Sequence, residues 1–392
     1  MNDTIYSAIE KLDNWVENHD WKAYDPFDGL SSKYTKYLTL NNPLLKIVLQ
    51  QSVRRVPVNL RKILGIKPEV SSKAMGFFAQ GYLKLYQTYN SKIFLDKATY
   101  CLNWLIDNPS DGYSGYCWGN HFDYQSRGGR IPKEVPTVVW TGLIGHTFMD
   151  AYELVGEEKY LSVVKSISQF IINDLPKIQL NDSLCIGYTP QKKDTELSNA
   201  VHNSNMIGAS ILARLYKETR DSALLDLAEK AVKFTMNYQL DNGGFYYGVA
   251  KKYHWVDSFH TGYVLEALYH YTQYSGDETY LRNLDNGYTY FINTFFGIDG
   301  TPRYYNYKIA PLDIQCASQG IQTLTNLRSL DSRSIAIAEK VAGWTITNMQ
   351  DSTGYFYFRK YPFIINKTPT LHWGQATMLA ALATLNYNLL KK

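Results

Sequence analysis

The chain has 392 residues, of which 45% are hydrophobic and 19% charged, and its formal net charge is +4. This composition excludes a disordered chain, and the small net charge gives no reason to expect binding to nucleic acid. The four cysteines lie far apart and form no paired motif, which excludes an obvious zinc or thioredoxin-type site and indicates a reducing compartment.

The first residues, "MNDTIYSAIEKLDNW", predict a charged amphipathic helix near residues 3–18 and not a signal peptide. No apolar stretch is long enough to span a bilayer, so we expect a cytoplasmic protein. Residues 19–72 fall outside the pattern of the remaining chain and are predicted to form an N-terminal strap or insertion.

Within this strap, the segment 51–69 alternates basic and apolar residues and contains two prolines. We expect it to lie across the folded domain. Docking to a partner or to anionic lipid headgroups is the alternative. Its basic residues include Arg54, Arg55, Arg61 and Lys62.

From residue 76 onwards, a pattern of two helices joined by a short turn recurs five times. In each pair the first helix is apolar nearly all round, as an inner helix must be, and the second is amphipathic. A sixth apolar helix at 374–390 lacks a partner, which the N-terminal helix could supply. The five pairs are predicted at 76–106, 141–172, 206–238, 261–295 and 318–349.

Six inner and six outer helices in alternation predict an all-α fold, the (α/α)6 toroid or six-hairpin barrel, with residues 1–392 forming a single domain. The alternative is an open solenoid of helix pairs. The unpaired helices at the two ends of the chain favour closure. Glycine-aromatic segments such as "DGYSGYCWG" (111–119) and "DNGGFYYG" (241–248) predict short β-hairpins in the loops.

The inner helices of a toroid run parallel to one another, so their N-terminal ends meet at one mouth. Their partial positive charges add there and favour an anion such as a carboxylate. In "YHWVDSFHTGYVLEALYHY" (253–271), the residues His254, Trp255, Asp257 and His260 stand at the start of an inner helix. Such side chains are costly to bury without partners, so we expect them to line a cavity.

Polar and aromatic residues of further segments are expected at the same mouth. They precede or begin other inner helices, or lie in the loop 117–129, and their tryptophans could stack on the apolar face of a pyranose. These candidates are Trp118, His121, Asp123, Tyr124, Arg127, Trp140, Asn203, Asn205, Asp313, Gln315, His372, Trp373 and Gln375.

A role in helix capping would by itself explain Asp257 and Asp313, which stand at N-cap positions. It does not explain His260 and His372, which are predicted on facing helices at one mouth. The chain contains no dinucleotide, phosphate-loop, zincin or hydrolase-elbow motif, so neither a cofactor nor a metal is expected. Two further histidines, interpreted as structural, are His146 and His270.

Segments along nearly the whole chain match a pattern found in bacterial proteins. They are "YDPFDGL", "PVNLRKILGIK", "CWGNHFDYQ", "PTVVWTGLIGHTFMDAYE", "DSFHTGYVLEAL", "PLDIQCASQGIQTL" and "HWGQATMLAAL". Together they resemble the VpsJ-like proteins of exopolysaccharide and capsule gene clusters. The resemblance implies an (α/α)6 toroid and a role in surface-polysaccharide biosynthesis, without an established reaction.

A second resemblance concerns "GTPRYYNYKIAPLDIQCASQGIQTL", which is similar in pattern to the C-terminal helical domain of glucuronyl C5-epimerases. It implies a uronate site and makes Tyr304, Tyr305 and Tyr307 candidates. The fold also resembles that of N-acetylglucosamine 2-epimerases and unsaturated glucuronyl hydrolases.

The first functional hypothesis is an enzyme that binds and modifies a glycan or glycan precursor in surface-polysaccharide biosynthesis. It would remove a proton next to a carboxylate or carbonyl, as epimerases and lyases do. His260 and His372 would act as base and acid, with Tyr304 and Tyr305 as rivals, and Arg127 or helix N-termini would neutralise the developing charge. The expected partner is a poly- or oligosaccharide that could contain uronic acid, and the protein could contact membrane-associated polysaccharide synthesis proteins.

Two alternatives remain open. A glycoside hydrolase would use two of Asp123, Asp257 and Asp313 as acid and base. A non-catalytic protein would hold a nascent glycan or act as a scaffold for the synthesis machinery.

Overall fold

The computed structural model describes residues 2–126 and 128–391. The chain begins with helix α1 (Asn2–Asn18), and the strap contains two short helices, α2 (Thr35–Thr39) and α3 (Pro43–Arg55). The remaining helices alternate between inner and outer positions. In chain order they are α4 (Ser72–Tyr89), α5 (Lys92–Asp107), α6 (Val138–Val155), α7 (Glu158–Asn173), α8 (His202–Thr219), α9 (Ser222–Met236), α10 (Ser258–Ser275), α11 (Leu281–Phe295), α12 (Ile314–Asn326), α13 (Ser334–Met349) and α14 (Thr377–Leu390).

The even-numbered helices from α4 to α14 form a closed ring, which confirms the predicted (α/α)6 toroid. Each inner helix packs against the next, and α14 returns to pack against α4. Helix α1 contacts α13 and α14, so it completes the outer layer as predicted. The apolar pattern explains the arrangement, because every residue of α14 from Thr377 to Asn386 is buried and a helix covered on all sides belongs inside.

Short antiparallel β-structure lies in the loops. Two hairpins and one three-stranded sheet are present in the part of the chain that the structure describes. Asp313 stands opposite Arg359 in the sheet, which brings the start of α12 next to a basic side chain. The strands are β1 (Tyr124–Ser126), β2 (Gly129–Ile131), β3 (Lys177–Leu180), β4 (Ser183–Ile186), β5 (Leu312–Asp313), β6 (Tyr357–Lys360) and β7 (Ile365–Pro369).

The predicted hairpins at 111–119 and 241–248 are wrong in position. Both segments form turns that end in a single bridge, Gly119 to Pro136 and Val201 to Gly248. Gly119 pairs with the loop that precedes α6, and Gly248 pairs with the residue before α8, so neither segment forms the predicted hairpin.

The strap lies over the N-terminal ends of the inner helices and is held by buried ion pairs. The Arg61 guanidinium binds the Asp28 carboxylate with Nε 2.8 Å from Oδ1, and the Lys73 ammonium lies 2.8 Å from Oδ2 of Asp25. All four side chains are nearly fully buried. Because Lys73 belongs to the first turn of α4, the strap is fixed directly to the ring. Across residues 2–126 and 128–391, none of the helices combines the length and apolarity needed to cross a bilayer.

Candidate active site

The predicted segments converge at the N-terminal ends of the inner helices, a region that we call the mouth. The Phe259 ring lies 4.0 Å from His260, 5.6 Å from Tyr304 and 5.5 Å from Trp373, measured between ring centroids. The His372 ring lies 4.7 Å from Trp140. Residues that are more than 100 positions apart in sequence therefore share one region, as parallel inner helices require.

Asp257 and His260 form a dyad at the start of α10. Oδ1 of Asp257 accepts the backbone N–H of His260 at 2.9 Å, the predicted N-cap, and Oδ2 lies 2.7 Å from Nδ1 of the same residue. Oδ2 also accepts the indole N–H of Trp255 at 3.0 Å. Capping therefore accounts for one carboxylate oxygen, and the other orients the imidazole.

The free edge of the His260 ring faces a narrow cleft. The His260 side chain is 22% exposed, whereas that of Asp257 is 1% exposed, and Nε2 has no hydrogen-bond partner among the described residues. The cleft holds about 10 Å³, roughly the space of one water. Aromatic rings of Tyr246, Tyr247 and Trp255 line it. Oδ1 of Asn203 is buried beside them and has no partner in the part of the chain that the structure describes.

His372 lies in the π-helical turn Leu371–Ala376 that precedes α14. It is fully buried, and neither ring nitrogen has a partner in the described structure. Burial, reinforced by the nearby Lys73 ammonium, holds the pKa of His372 well below its usual range. The imidazole is therefore neutral at pH 7, and none of the described residues occupies either nitrogen.

Asp313 caps α12 and is sealed in an ion pair. Its Oδ1 accepts the N–H of Gln315 at 3.0 Å, and its Oδ2 accepts Nε of Arg359. The carboxylate is completely buried. Asp313 thus lies at the mouth as predicted, but the guanidinium occupies the oxygen that a substrate would need.

The strap covers the mouth. Phe27 of the strap packs edge-on against Tyr124 and Trp373 at about 5 Å. The Arg54 guanidinium lies 4.5 Å above the Phe27 ring and reaches the Tyr304 hydroxyl at 3.5 Å. His372, Trp373 and Tyr304 are consequently shielded from solvent, because the strap supplies the apolar and cationic surfaces that their rings contact.

Several candidate residues do not line the mouth. Trp118 is a core residue whose indole N–H donates to the Leu105 carbonyl. The Asn205 amide accepts the backbone N–H of Ile186 and donates to the Ala231 carbonyl. The Gln375 amide holds the backbone at Phe356 and Thr370.

Two others lie at the surface. His254 stacks on Tyr246 and is hydrogen-bonded to the Val249 carbonyl. The Asp123 carboxylate accepts hydrogen bonds from the Arg130 guanidinium and from the backbone N–H of Lys133. In each of these five cases, local polar partners or packing satisfy the side chain.

The remaining candidates divide between the mouth and its border. His121 is half-buried near Asp25 and Lys73, and desolvation lowers its pKa to about 4. Gln315 donates to the Tyr263 hydroxyl at 3.1 Å, and its Oε1 has no partner among the described residues. Tyr305 packs 4.4 Å from Tyr304. Arg127 lies outside the described residues.

A central cavity of about 180 Å³ runs down the toroid axis. It extends from Lys73 and Trp140 near the mouth to Lys84 and Arg214 towards the C-terminal ends of the inner helices. A cavity of roughly 150 Å³ accommodates benzene, so this one has room for a ligand of about one six-membered ring.

Glu266 is the notable carboxyl of this cavity, and sequence reasoning missed it. Its Oε1 accepts Gln319 and Thr323 at 2.5 Å, and its Oε2 accepts the Asn326 amide at 2.8 Å. Burial raises its pKa from 4.5 to about 7, against the lowering effect of those donors. The available signal was an acidic residue within an otherwise apolar half of an inner helix.

His270, one turn after Glu266, also lines the cavity, as does His146. Their rings lie 4.9 Å apart, and burial lowers the pKa of His270 to about 4. His146 is also hydrogen-bonded to Ser210 at 2.9 Å. Among the described residues, His, Cys, Asp and Glu do not form any group of three that could hold a metal ion.

Solved structures with similar helical rings include enzymes of sugar chemistry. A cellobiose 2-epimerase from Bacillus thermoamylovorans B4167 has a TM-score of 0.61 and 12% identity over 80% of this chain and 87% of that one. A GH76 α-mannanase from Bacteroides thetaiotaomicron has a TM-score of 0.61 and 16% identity over 82% and 87%. An unsaturated glucuronyl hydrolase specific for heparin has a TM-score of 0.58 and 13% identity over 81% and 86%. At these low identities, the TM-scores show a shared fold alone.

The family match and the fold together define a carbohydrate-active enzyme, which confirms the expectation of an enzyme that acts on carbohydrate. Residues 140–353, more than half of the chain, match glycosyl hydrolase family 76. The chain belongs to glycosyl hydrolase family 76. A comparison with curated proteins gives no match.

Proposed function

We propose that this family 76 protein transfers protons at a ring carbon of a glycan or glycan precursor, as an epimerase or lyase does. The observation that carries the proposal is the Asp257–His260 dyad. When the Asp257 carboxylate accepts the Nδ1 proton, the neutral imidazole presents the lone pair of Nε2 to the cleft. The same carboxylate then stabilises the imidazolium that forms when His260 takes a proton.

The second acid–base group of the proposed reaction is His372. Inverting the configuration of a carbon requires an acid–base group on each face of that carbon. His372 suits the second position because its imidazole is neutral and has no partner among the described residues. The mouth also contains the positive ends of the inner helices and the Arg54 guanidinium, which suit the carboxylate of a uronic acid. A uronate-containing oligosaccharide is therefore the proposed substrate class.

The biological setting of the proposal is the biosynthesis of a surface polysaccharide in the cytoplasm, alongside membrane-associated synthesis proteins. The resemblance of the sequence to VpsJ-like proteins supports this setting.

The test incubates the enzyme in heavy water with the repeat unit of its host's surface polysaccharide. We expect deuterium at one ring carbon, detected by NMR. His260→Gln and His372→Gln should each slow its incorporation by about 10²–10⁴-fold. His254→Gln is the matched control, because this histidine stacks on Tyr246 at the surface. Full exchange by His260→Gln would refute the assignment.

Glycoside hydrolysis is the second candidate, and Glu266 is the observation that favours it. A glycosidase needs a carboxylic acid that stays protonated near neutral pH, and burial gives Glu266 this property. Asp257 and Asp313 are less suited, since the oxygens of both already bind protein donors, among them Arg359 on Asp313. If hydrolysis is the reaction, new reducing ends should appear without deuterium at carbon, and Glu266→Gln should abolish them.

A further inference from the structure

The outer face of the strap exposes apolar side chains to an unusual degree. Nine of the twenty large hydrophobic residues that are exposed in the described structure lie between residues 34 and 63. A concentration of this kind marks an interaction surface, whereas scattered single residues do not. The six most exposed are Tyr37, Leu40, Leu44, Val48, Val58 and Ile63.

The same segment is strongly basic. From residue 29 to residue 68 the chain has eight lysines and arginines and no acidic residue, although the whole chain has a net charge of only +4. Arg54 and Arg61 turn inwards to the mouth and to Asp28. The other six form no ion pair with any described residue. They are Lys33, Lys36, Lys46, Arg55, Lys62 and Lys67.

Helix α3 separates these properties by face. Gln50 and Val53 are its buried residues, and α3 packs against β1 and the turn at 28–31. Leu44, Leu45 and Val48 are exposed and follow helical spacing on the outer side. The helix therefore uses one side to cover the toroid and leaves an apolar side bordered by cations.

The hairpin of β6 and β7 extends this surface. The Tyr361 hydroxyl donates to the Arg55 carbonyl at 3.1 Å, and the Asn366 amide donates to the Val56 carbonyl at 3.0 Å. These contacts hold the hairpin next to the end of α3. Its tip residue, Phe363, is completely exposed.

We propose that residues 33–67, together with the tip at 363–364, form a docking surface for an anionic lipid bilayer. The cations would meet anionic headgroups, and the apolar side chains between them would enter the boundary of the acyl chains. An acidic polymer in water would neutralise the charge but leave those apolar side chains exposed. A symmetric pair of chains would bring two strongly cationic faces together, which is unfavourable.

The test sediments the full-length protein with phosphatidylcholine vesicles that contain 30% phosphatidylserine, the composition chosen for the assay. We expect binding to these vesicles, weak binding to pure phosphatidylcholine, and loss of binding at high salt. Lys36→Gln, Lys46→Gln and Lys62→Gln should lower the partition coefficient about fivefold for each lysine removed. The matched control replaces three lysines elsewhere on the surface, Lys165, Lys251 and Lys340.

The apolar part is tested with Leu40→Ser combined with Leu44→Ser, against Ile93→Ser combined with Ile298→Ser, a pair exposed elsewhere. Only the first pair should reduce vesicle binding, at unchanged circular dichroism. The proposal is overturned if the strap variants bind like wild type, or if neither vesicle binds. Binding to an acidic polysaccharide but not to vesicles would also overturn it, as would a change confined to self-association in light scattering.

Discussion

Replacing Glu266 with glutamine should change how the stability of the protein depends on pH. The pKa of Glu266 rises from 4.5 to about 7 in the folded protein because the carboxyl is buried. Below pH 4.5 the folded and unfolded states both hold the proton. As the pH rises, the unfolded state loses it first, so stability falls until the folded state also ionises near pH 7.

The magnitude follows from the pKa difference. One pH unit is worth about 1.4 kcal/mol, so the loss of stability between pH 4.5 and pH 8 is about 3 kcal/mol. Glutamine keeps the shape and does not titrate. Asn326, which donates to Oε2 of Glu266 at 2.8 Å, can reverse its amide and accept from the new N–H.

Urea unfolding from pH 4.5 to pH 8 measures the effect. The difference in unfolding free energy, variant minus wild type, should increase by about 3 kcal/mol over this range. Glu278→Gln is the matched control, since Glu278 is exposed just beyond the end of α10 and its substitution should leave the pH dependence unchanged. Parallel profiles for wild type and Glu266→Gln would refute the reasoning.

Three further predictions concern capping, a buried ion pair and a turn. Asp257→Asn should keep the N-cap but cost about 1–3 kcal/mol, because the amide NH2 that replaces Oδ2 cannot accept the indole N–H of Trp255. Turnover should fall at least about 100-fold because the imidazolium loses its anion. Kinetics and urea unfolding together check this, and intact turnover contradicts it. Arg359→Met should lower the free energy of unfolding in urea by about 3–5 kcal/mol, since it leaves the Asp313 carboxylate buried and unpaired. Adding Asp313→Asn should recover part of that stability. An unchanged unfolding midpoint in Arg359→Met would contradict a stabilising role of the ion pair. Gly354→Ala should cost at least about 2 kcal/mol in thermal unfolding, because φ is +113° and a Cβ would collide with the Lys11 backbone. Gly112→Ala, at φ +85° with nothing within 4 Å, should cost about 1 kcal/mol, and equal costs would contradict the steric argument.

The active-site residues show how far local sequence could predict geometry. Asp257 caps α10 as expected, because an N-cap depends on a residue and the next three positions. The partner of Asp313 could not be predicted in this way, since Arg359 comes from a strand 46 positions away.

The sequence by itself determined the toroid. Helical periodicity is a local property, and a helix that is apolar on all sides, such as α14, belongs in the interior of a globular protein. Only the tertiary structure decided which polar groups are exposed to solvent and which are buried. The strap places Phe27 and Arg54 over Trp373, and α12 surrounds Glu266 with three donors. Burial and pKa depend on neighbours that are distant along the chain, and no local pattern specifies which neighbours these are.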